Sequence, residues 1–284
     1  MEKLIYNLHT HTSRCGHAYG TDEEYVKSAI KNGIKLLGFS DHIFFPNIIH
    51  KGMRGNYELL DDYISSILFL KKKYSKKVDI KLGFEAEYQE SFYGYYKYLL
   101  NDKHFDYLIL GQHLTYNIKG KPIYYWGKEL NNKKEIYRYR DDLISGMKTG
   151  FFLYVAHPDL FMRNVSIVDD DIIKVCEDIC AASKEYDVPL EINLGGFGYS
   201  NMMAQIEGGS PYPNHFFWKM ARKYKCKCVI GVDAHNPKNF DSIDYYFLDS
   251  FINYHELKIM TLDEILHKFN WCRLIYFYFL KIFS

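Results

Sequence analysis

Marking the apolar runs along the chain reveals a recurring unit, a short strand followed by a helix. The runs Lys3–Leu8, Ile34–Phe39, Val78–Phe84, Phe105–Leu110, Phe151–Val155, Val188–Ile192 and Cys226–Val232 read as buried strands. Between them lie stretches with helical spacing. Asp22–Asn32 has Thr21 as N-cap, Glu24 at the capping-box position and Gly33 as its stop. Tyr57–Tyr74 places Leu60, Tyr63, Ile64, Ile67 and Leu68 on one face and ends in Lys71–Lys73, a solvated basic terminus. Phe92–Leu100, Lys133–Met147, Asp169–Tyr186 and His215–Tyr224 follow, and two further helical stretches close the chain. Thr115–Leu130 is an insertion that predicts a hairpin or lid. Seven strand–helix units with no polar linker between them predict one α/β domain built on a parallel sheet. Its core spans about 3–268, and 269–284 form an apolar C-terminal extension.

Composition narrows the function classes. Lys and Arg are nearly balanced by Asp and Glu, for a net charge of +1, so no electrostatic case exists for a nucleic-acid partner. The apolar stretch Trp271–Phe283 is shorter than the ~20 residues a membrane span needs. It is expected to pack on the body or on a second subunit, so the protein is expected to be a monomer or a homodimer. The six cysteines lack the paired spacing of a structural zinc site and read as buried reduced thiols. With no signal peptide before the first strand, the expected compartment is a reducing cytoplasm.

The chemistry sits where the strands stop. The first ends in His9-Thr10-His11, two imidazoles at the period-2 spacing that turns both to one side, with His17 just beyond. The later strands end in Asp41-His42, Glu85, His113, His157, Glu191-Ile192-Asn193 and Asp233-Ala234-His235. In an open sheet with strands ~4.8 Å apart, the outermost of seven would be separated by roughly 29 Å, too far to share one site. If these residues cooperate, the sheet must close into a barrel with all seven ends around one mouth. Seven histidines (His9, His11, His17, His42, His113, His157, His235) with Glu85 and Asp233 exceed the needs of one ion. Two to three divalent metals are expected, with Zn, Mn and Fe equally suited. Glu87, two positions beyond Glu85, is a rival ligand, and Asp41 is a supporting or site-lining carboxylate. His50, His104, His215, His255 and His267 lie off the strand ends and read as surface or satisfied core residues.

Taken together, His9-x-His11, His17, Ser40-Asp41-His42, Gly83-Phe84-Glu85, Gly111-Gln112-His113, His157-Pro158-Asp159, Glu191-x-Asn193 and Asp233-Ala234-His235 resemble the motif set of the polymerase and histidinol phosphatase (PHP) superfamily. Within it, the chain resembles the stand-alone histidinol-phosphatase branch. The matches run from Leu8 to His235 in the superfamily's order. The resemblance implies a distorted (β/α)7 TIM-like barrel and a trinuclear metal centre. Carried onto this chain, it groups His9, His11, Glu85 and Asp233 on one metal. A second shares Glu85 and takes His113 and His157, and a third takes His17, His42 and His235. Glu85 is preferred over Glu87 because it follows the Gly83-Phe84 pair.

Clustered divalent ions make hydroxide available near neutral pH and neutralise phosphate oxygens, so the expected reaction is in-line attack of a metal-bridging hydroxide on a phosphate monoester. Glu85, Asp233, Arg163 and Asp41 are the expected catalytic residues. Arg163 resembles the family's phosphate-binding arginine, and Arg14 and Arg54 are further substrate candidates on loops above the site. No P-loop or nucleophile elbow is present to support nucleotide-driven transfer or serine chemistry. The branch implies L-histidinol phosphate as the small-molecule substrate, in histidine biosynthesis. Alternatives are another small phosphate ester or nucleotide, or a non-catalytic metal-binding scaffold. A scaffold predicts lost ligands, whereas all nine positions are intact.

Overall fold

Parallel strands buried on both faces must be apolar nearly throughout, and the apolar runs become the strands of one sheet. The computed structural model describes residues 3–116, 121–125, 133–165, 167–196 and 212–269. Its strands are β1 (Tyr6–Asn7), β2 (Leu36–His42), β3 (Asp79–Ala86), β4 (Tyr107–Leu110), β5 (Leu114–Tyr116), β6 (Pro122–Tyr124), β7 (Phe152–Val155), β8 (Leu190–Asn193), β9 (Lys227–Gly231) and β10 (Lys258–Ile259). The main sheet has the order β1-β2-β3-β4-β7-β8-β9-β10 with parallel pairing throughout. Helices α1 (Asp22–Lys31), α2 (Leu60–Tyr74), α3 (Tyr93–Asn101), α4 (Lys133–Lys148), α5 (Asp170–Glu185), α6 (His215–Lys223) and α7 (Tyr245–His255) connect the strands. The predicted capping box of α1 is formed, with Thr21 and Glu24 each accepting from the other's backbone.

The sheet closes at one end. Thr10 bridges Ala234 in parallel, the His11 amide donates to the Ala234 carbonyl at 3.0 Å, and the Ala234 amide donates to the His9 carbonyl at 3.2 Å. Asn7 locks this seam from inside. Its Nδ2 donates to the His9 carbonyl at 2.9 Å and to Thr10 Oγ1 at 2.8 Å, and its Oδ1 accepts from the Val232 amide at 2.8 Å. At the opposite end β10 pairs with β9, and Tyr6 Oη donates to the Met260 carbonyl at 3.1 Å. The ring is thus a distorted seven-unit barrel, joined directly at its mouth and spread by a short eighth strand at its base. The sequence pattern there predicts only helices, because two residues are too few to register as an apolar run.

Alternation fixes which side chains face inward. In β2 and β3 the outward set includes Leu37, Phe39, Leu82 and Phe84, which pack in the main hydrophobic layer under the helices. The inward set continues past the last apolar residue to His42 and Glu85, which are register partners. Both strands therefore run beyond the predicted Phe39 and Phe84. An inward polar residue ends the apolar pattern without ending the strand. Inside the barrel, Leu8, Leu36, Tyr107, Ile109, Leu153, Tyr154 and Val229 form a second apolar cluster below the mouth, closed beneath by Met260, Ile265 and Phe269. A side chain at Gly83 would collide with the Tyr107 ring, so this glycine makes room for the barrel floor.

The insertion forms the antiparallel hairpin β5–β6, with Leu114 opposite Tyr124. Its residues 117–120 and 126–132, the loop 197–211 and the C-terminal extension beyond 269 lie outside the described residues. No helix among the described residues is long and apolar enough to cross a membrane.

Candidate metal centre

All nine predicted ligand residues meet at the barrel mouth. His9 and His11 leave the end of β1, His42 ends β2, Glu85 lies in β3, and His113 follows β4. His157 and Asp233 follow β7 and β9 with φ of 31° and 53°, a left-handed backbone uncommon for residues bearing Cβ. This local strain sits where the chain leaves each strand and carries both side chains over the mouth.

Glu85 is the hub. Its Oε1 lies 3.1 Å from His113 Nε2, 2.6 Å from His157 Nε2 and 3.5 Å from His9 Nε2. Its Oε2 lies 3.1 Å from His42 Nδ1 and 3.6 Å from His11 Nε2. Asp233 Oδ1 stands 3.1 Å from His11 Nε2, 3.4 Å from His9 Nε2 and 3.3 Å from His235 Nδ1. On the outer side, His17 Nε2 and His235 Nε2 are 2.9 Å apart, and together with His42 they offer nitrogens within 4.8 Å of one another.

A second layer of carboxylates holds these rings from behind. Glu191 Oε1 is 2.8 Å from His9 Nδ1, and its Oε2 accepts from the His157 amide at 3.1 Å and from Asn193 Nδ2 at 2.9 Å. Glu87 Oε1 is 3.2 Å from His113 Nδ1, while Arg54 grips both oxygens of Glu87 at 2.7 and 2.9 Å. Asp41 accepts from Thr12 Oγ1 and from the His42 amide, with one oxygen 3.6 Å from His11 Nδ1. Glu87 is thus a support for His113, with Glu85 at the centre. Asp41 stands behind His11 and is not among the described residues that line the cavity. Glu191 and Asn193 stand at a strand end in the sequence pattern, with no role that the pattern alone assigns. Their period-2 spacing at a strand end, the same as His9 and His11, is the signal that both face the mouth.

Burial opposes every charge in this cluster, yet the carboxylates stay ionised. His113, His9 and His42 hold Glu85 well below its ordinary range, and His9 and His11 do the same for Asp233. Burial, reinforced by His11, pushes His42 well down and His235 to about 3, leaving both rings neutral with a lone pair to give. Glu85 and Glu87 overcome burial to raise His113 to about 9. The carboxylates likewise overcome burial to raise His9 and His11, so the cluster is rich in negative charge and holds protons where a cation would displace them.

Orphaned polar atoms test that fit. Among the described residues, His9 Nε2, His11 Nε2, His42 Nδ1, Glu85 Oε2, His157 Nδ1 and Asp233 Oδ1 are buried without a hydrogen-bond partner. One such atom costs about 1–3 kcal/mol, and a native interior tolerates few. Six within one cluster fit divalent metal, which satisfies nitrogen and oxygen lone pairs together.

The pattern of the PHP domain matches residues 7–194, from the first strand through Glu191 and Asn193. The chain belongs to the PHP domain family. Among curated proteins, the "probable histidinol-phosphatase" of Deinococcus radiodurans is 26% identical over 245 residues, covering 82% of this chain and 87% of the relative. Two solved structures share the fold. One, from Listeria monocytogenes, has a TM-score of 0.69 at 18% identity, with 85% of this chain and 99% of that chain covered. The other is the histidinol phosphate phosphatase of Lactococcus lactis, solved with zinc, L-histidinol and phosphate. It has a TM-score of 0.65 at 16% identity, covering 90% and 95%.

Above the PHP cluster opens a cavity of about 610 Å³. Glu85, His113, His157, Asp233 and His235 face its floor, and Met53, Leu160, Tyr212, Asn193, Asn239 and Arg163 form its walls. Arg163 makes no ion pair among the described residues. The acids Asp169 and Asp171, its possible surface partners, are taken by Lys133. The other two candidate arginines, by contrast, are held by carboxylates. Arg14 pairs with Asp22 at 2.9 Å and Asp62 at 2.8 Å behind the wall, and Arg54 is buried against Glu87. The remaining histidines stay outside the centre: His50 bonds Tyr124 Oη at 2.5 Å, His215 meets His255 at 2.9 Å, and His104 and His267 are exposed.

Proposed function

We propose that this PHP protein is a metal-dependent phosphomonoesterase that hydrolyses L-histidinol phosphate to L-histidinol and phosphate in histidine biosynthesis. The observation that carries the reading is the convergence of nine side chains able to ligate metal beneath a cavity whose wall holds one arginine with no ion pair among the described residues. The names of the Deinococcus and Lactococcus proteins, and the zinc, histidinol and phosphate bound to the latter, support the same reaction class and substrate.

In this reading two to three divalent ions are held by the three groups around Glu85. His9, His11, Glu85 and Asp233 form one group, His113 and His157 with Glu85 the second, and His17, His42 and His235 the third. Such ions, when bound, acidify water and neutralise phosphate oxygens. Glu191, Glu87 and Asp41 fix the imidazole rings so that ligand nitrogens face the floor. Arg163 grips the phosphate with its planar fork of donors. Asn239 offers a further amide donor, while Met53, Leu160 and Tyr212 form the apolar side where an organic leaving group lies. No serine, threonine or cysteine lines the cavity among the described residues, in keeping with direct transfer of the phosphoryl group to water.

Phosphate release tests the proposal, with metal-replete protein supplied with histidinol phosphate beside nucleotides, sugar phosphates and p-nitrophenyl phosphate. Histidinol phosphate is expected to be turned over with the highest kcat/KM. A value no better than that for p-nitrophenyl phosphate would refute the substrate, and fewer than two divalent ions per chain after loading would refute the cluster.

A further inference from the structure

Arg54 is the most enclosed cation near the centre, with its side chain and that of Glu87 each 1% exposed. An ion pair taken so far from water is weak evidence of stabilisation, because desolvating both charges offsets their attraction. Its geometry suggests another task. Arg54 Nη2 donates to Glu87 Oε1 at 2.7 Å and Nη1 to Glu87 Oε2 at 2.9 Å. The same Oε1 lies 3.2 Å from His113 Nδ1. Beside a guanidinium, Glu87 is a pure acceptor. His113 therefore keeps an Nδ1 proton directed at Glu87, and when a metal displaces the proton on Nε2, which lies 3.1 Å from Glu85 Oε1, that nitrogen is the one turned to the floor of the site.

The backbone of the arginine also continues from the cavity wall. It directly follows Gly52 and Met53, both of which line the cavity. Its Nη1 reaches the Ile43 carbonyl at 3.1 Å, and its guanidinium lies over the Phe45 ring at 5.3 Å. The amides of Met53 and Arg54 donate to the His50 carbonyl at 3.1 and 3.2 Å, and the His50 ring is tied to Tyr124 of the hairpin. One side chain therefore ends in a metal-ligand support and begins in the wall that a substrate would touch.

We propose that Arg54 is a positioning residue: through Glu87 it sets the tautomer of His113 and so the affinity of the metal subsite built on His113 and His157, and it couples that subsite to the Gly52–Met53 wall. The inference rests on the ligand grouping proposed above. An amide at position 87 cannot offer acceptors to Arg54 and His113 at both ends, and a lysine at position 54 supplies a point charge without the two-pronged fit.

The test is a zinc titration of the full chain against a competing chelator, for wild type, Glu87→Gln, Arg54→Lys and the double variant Arg54→Met/Glu87→Met. The double variant leaves no lone buried charge, so it carries the test if a single variant fails to fold. One equivalent is expected to weaken by about 10- to 100-fold in Glu87→Gln and in the double variant. Arg54→Lys is expected to fall between these and wild type, with the other equivalents unchanged. Nitrogen-15 shifts of the zinc-loaded protein provide a readout independent of activity: His113 bound through Nε2 with its proton on Nδ1 in wild type, a mixture of binding modes in the double variant. An unchanged titration and unchanged binding mode in the double variant would overturn the inference while leaving the ligand grouping intact. Fewer than two equivalents on the wild type would overturn both.

Discussion

Glu191 Oε1 lies 2.8 Å from His9 Nδ1, both side chains fully buried, joining the end of β8 to the end of β1 across the barrel mouth. The bond leaves His9 Nε2 facing Glu85 and Asp233 at 3.5 and 3.4 Å. Glu191 is expected to act through His9, without touching substrate. Glu191→Gln should weaken metal binding by about 10- to 100-fold, and activity should recover at high metal concentration. Chelator competition measures the first and metal-dependent kcat the second. Loss of activity that excess metal does not restore would contradict the role.

Gly111, two residues before His113, owes its identity to Glu85. A Cβ added there would land on the Glu85 carboxyl, while the backbone stays clear. Gly111→Ala is therefore expected to displace the hub carboxylate and abolish metal binding, with the Tm of the chelated protein changed by only a few degrees. Gly94, in α3, is the control, since an added Cβ there would meet nothing within 4 Å. Gly94→Ala should retain full metal content and activity and add up to ~1 kcal/mol from helix propensity. Thermal melts with and without chelator separate the two variants.

A histidine pair outside the centre gives the protein an acid-sensitive joint. His255 is buried in α7 against His215 of α6, and burial, with His215 and Arg222 nearby, lowers it to about 4. In the unfolded chain it titrates near 6.5. Between those values the unfolded state binds the extra proton, so stability is fully present above pH ~6.5 and is lost as pH falls through about 4. His255→Gln should therefore lose less Tm than wild type between pH 7 and pH 5. Both proteins are to be melted in chelator so that the barrel-mouth histidines contribute equally. An identical decline in both would refute the assignment.

Much of this was legible in the sequence because two signals coincide at each strand end. An apolar run announces a strand, and a ligand residue directly after it announces the mouth of a barrel. His42 and Glu85 illustrate the limit of the first signal, since each belongs to its strand while interrupting the apolar pattern. Lys258 and Ile259 show another, because a two-residue strand leaves too little pattern to detect. The roles of Glu87 and Arg54 depended on contacts between residues 33 positions apart, which no local pattern encodes. The arginines teach the same lesson. Arg14, Arg54 and Arg163 are equivalent as loop residues near motifs, and only their partners separate them.

Arg163 and Arg14 accordingly predict opposite phenotypes. Arg163 lines the cavity with its charge uncommitted among the described residues, whereas Arg14 is fixed by Asp22 and Asp62 and lies over the Tyr63 ring at 5.6 Å. A charge-assisted hydrogen bond contributes ~1.5–3 kcal/mol, so Arg163→Met should lower kcat/KM for histidinol phosphate about 10- to 100-fold. Arg163→Lys should recover part of the loss, because it restores the charge without the planar fork. Metal content should not change in either, which separates phosphate binding from damage to the centre. Arg14→Ala removes two ion pairs linking the 13–15 turn to α1 and α2, so it should lower Tm while kcat/KM per folded molecule stays within about twofold. Steady-state kinetics, metal analysis and thermal melts on the three variants decide the matter. A kinetic defect in Arg14→Ala at full metal occupancy, with none in Arg163→Met, would reverse the assignment and place the phosphate on the opposite side of the mouth.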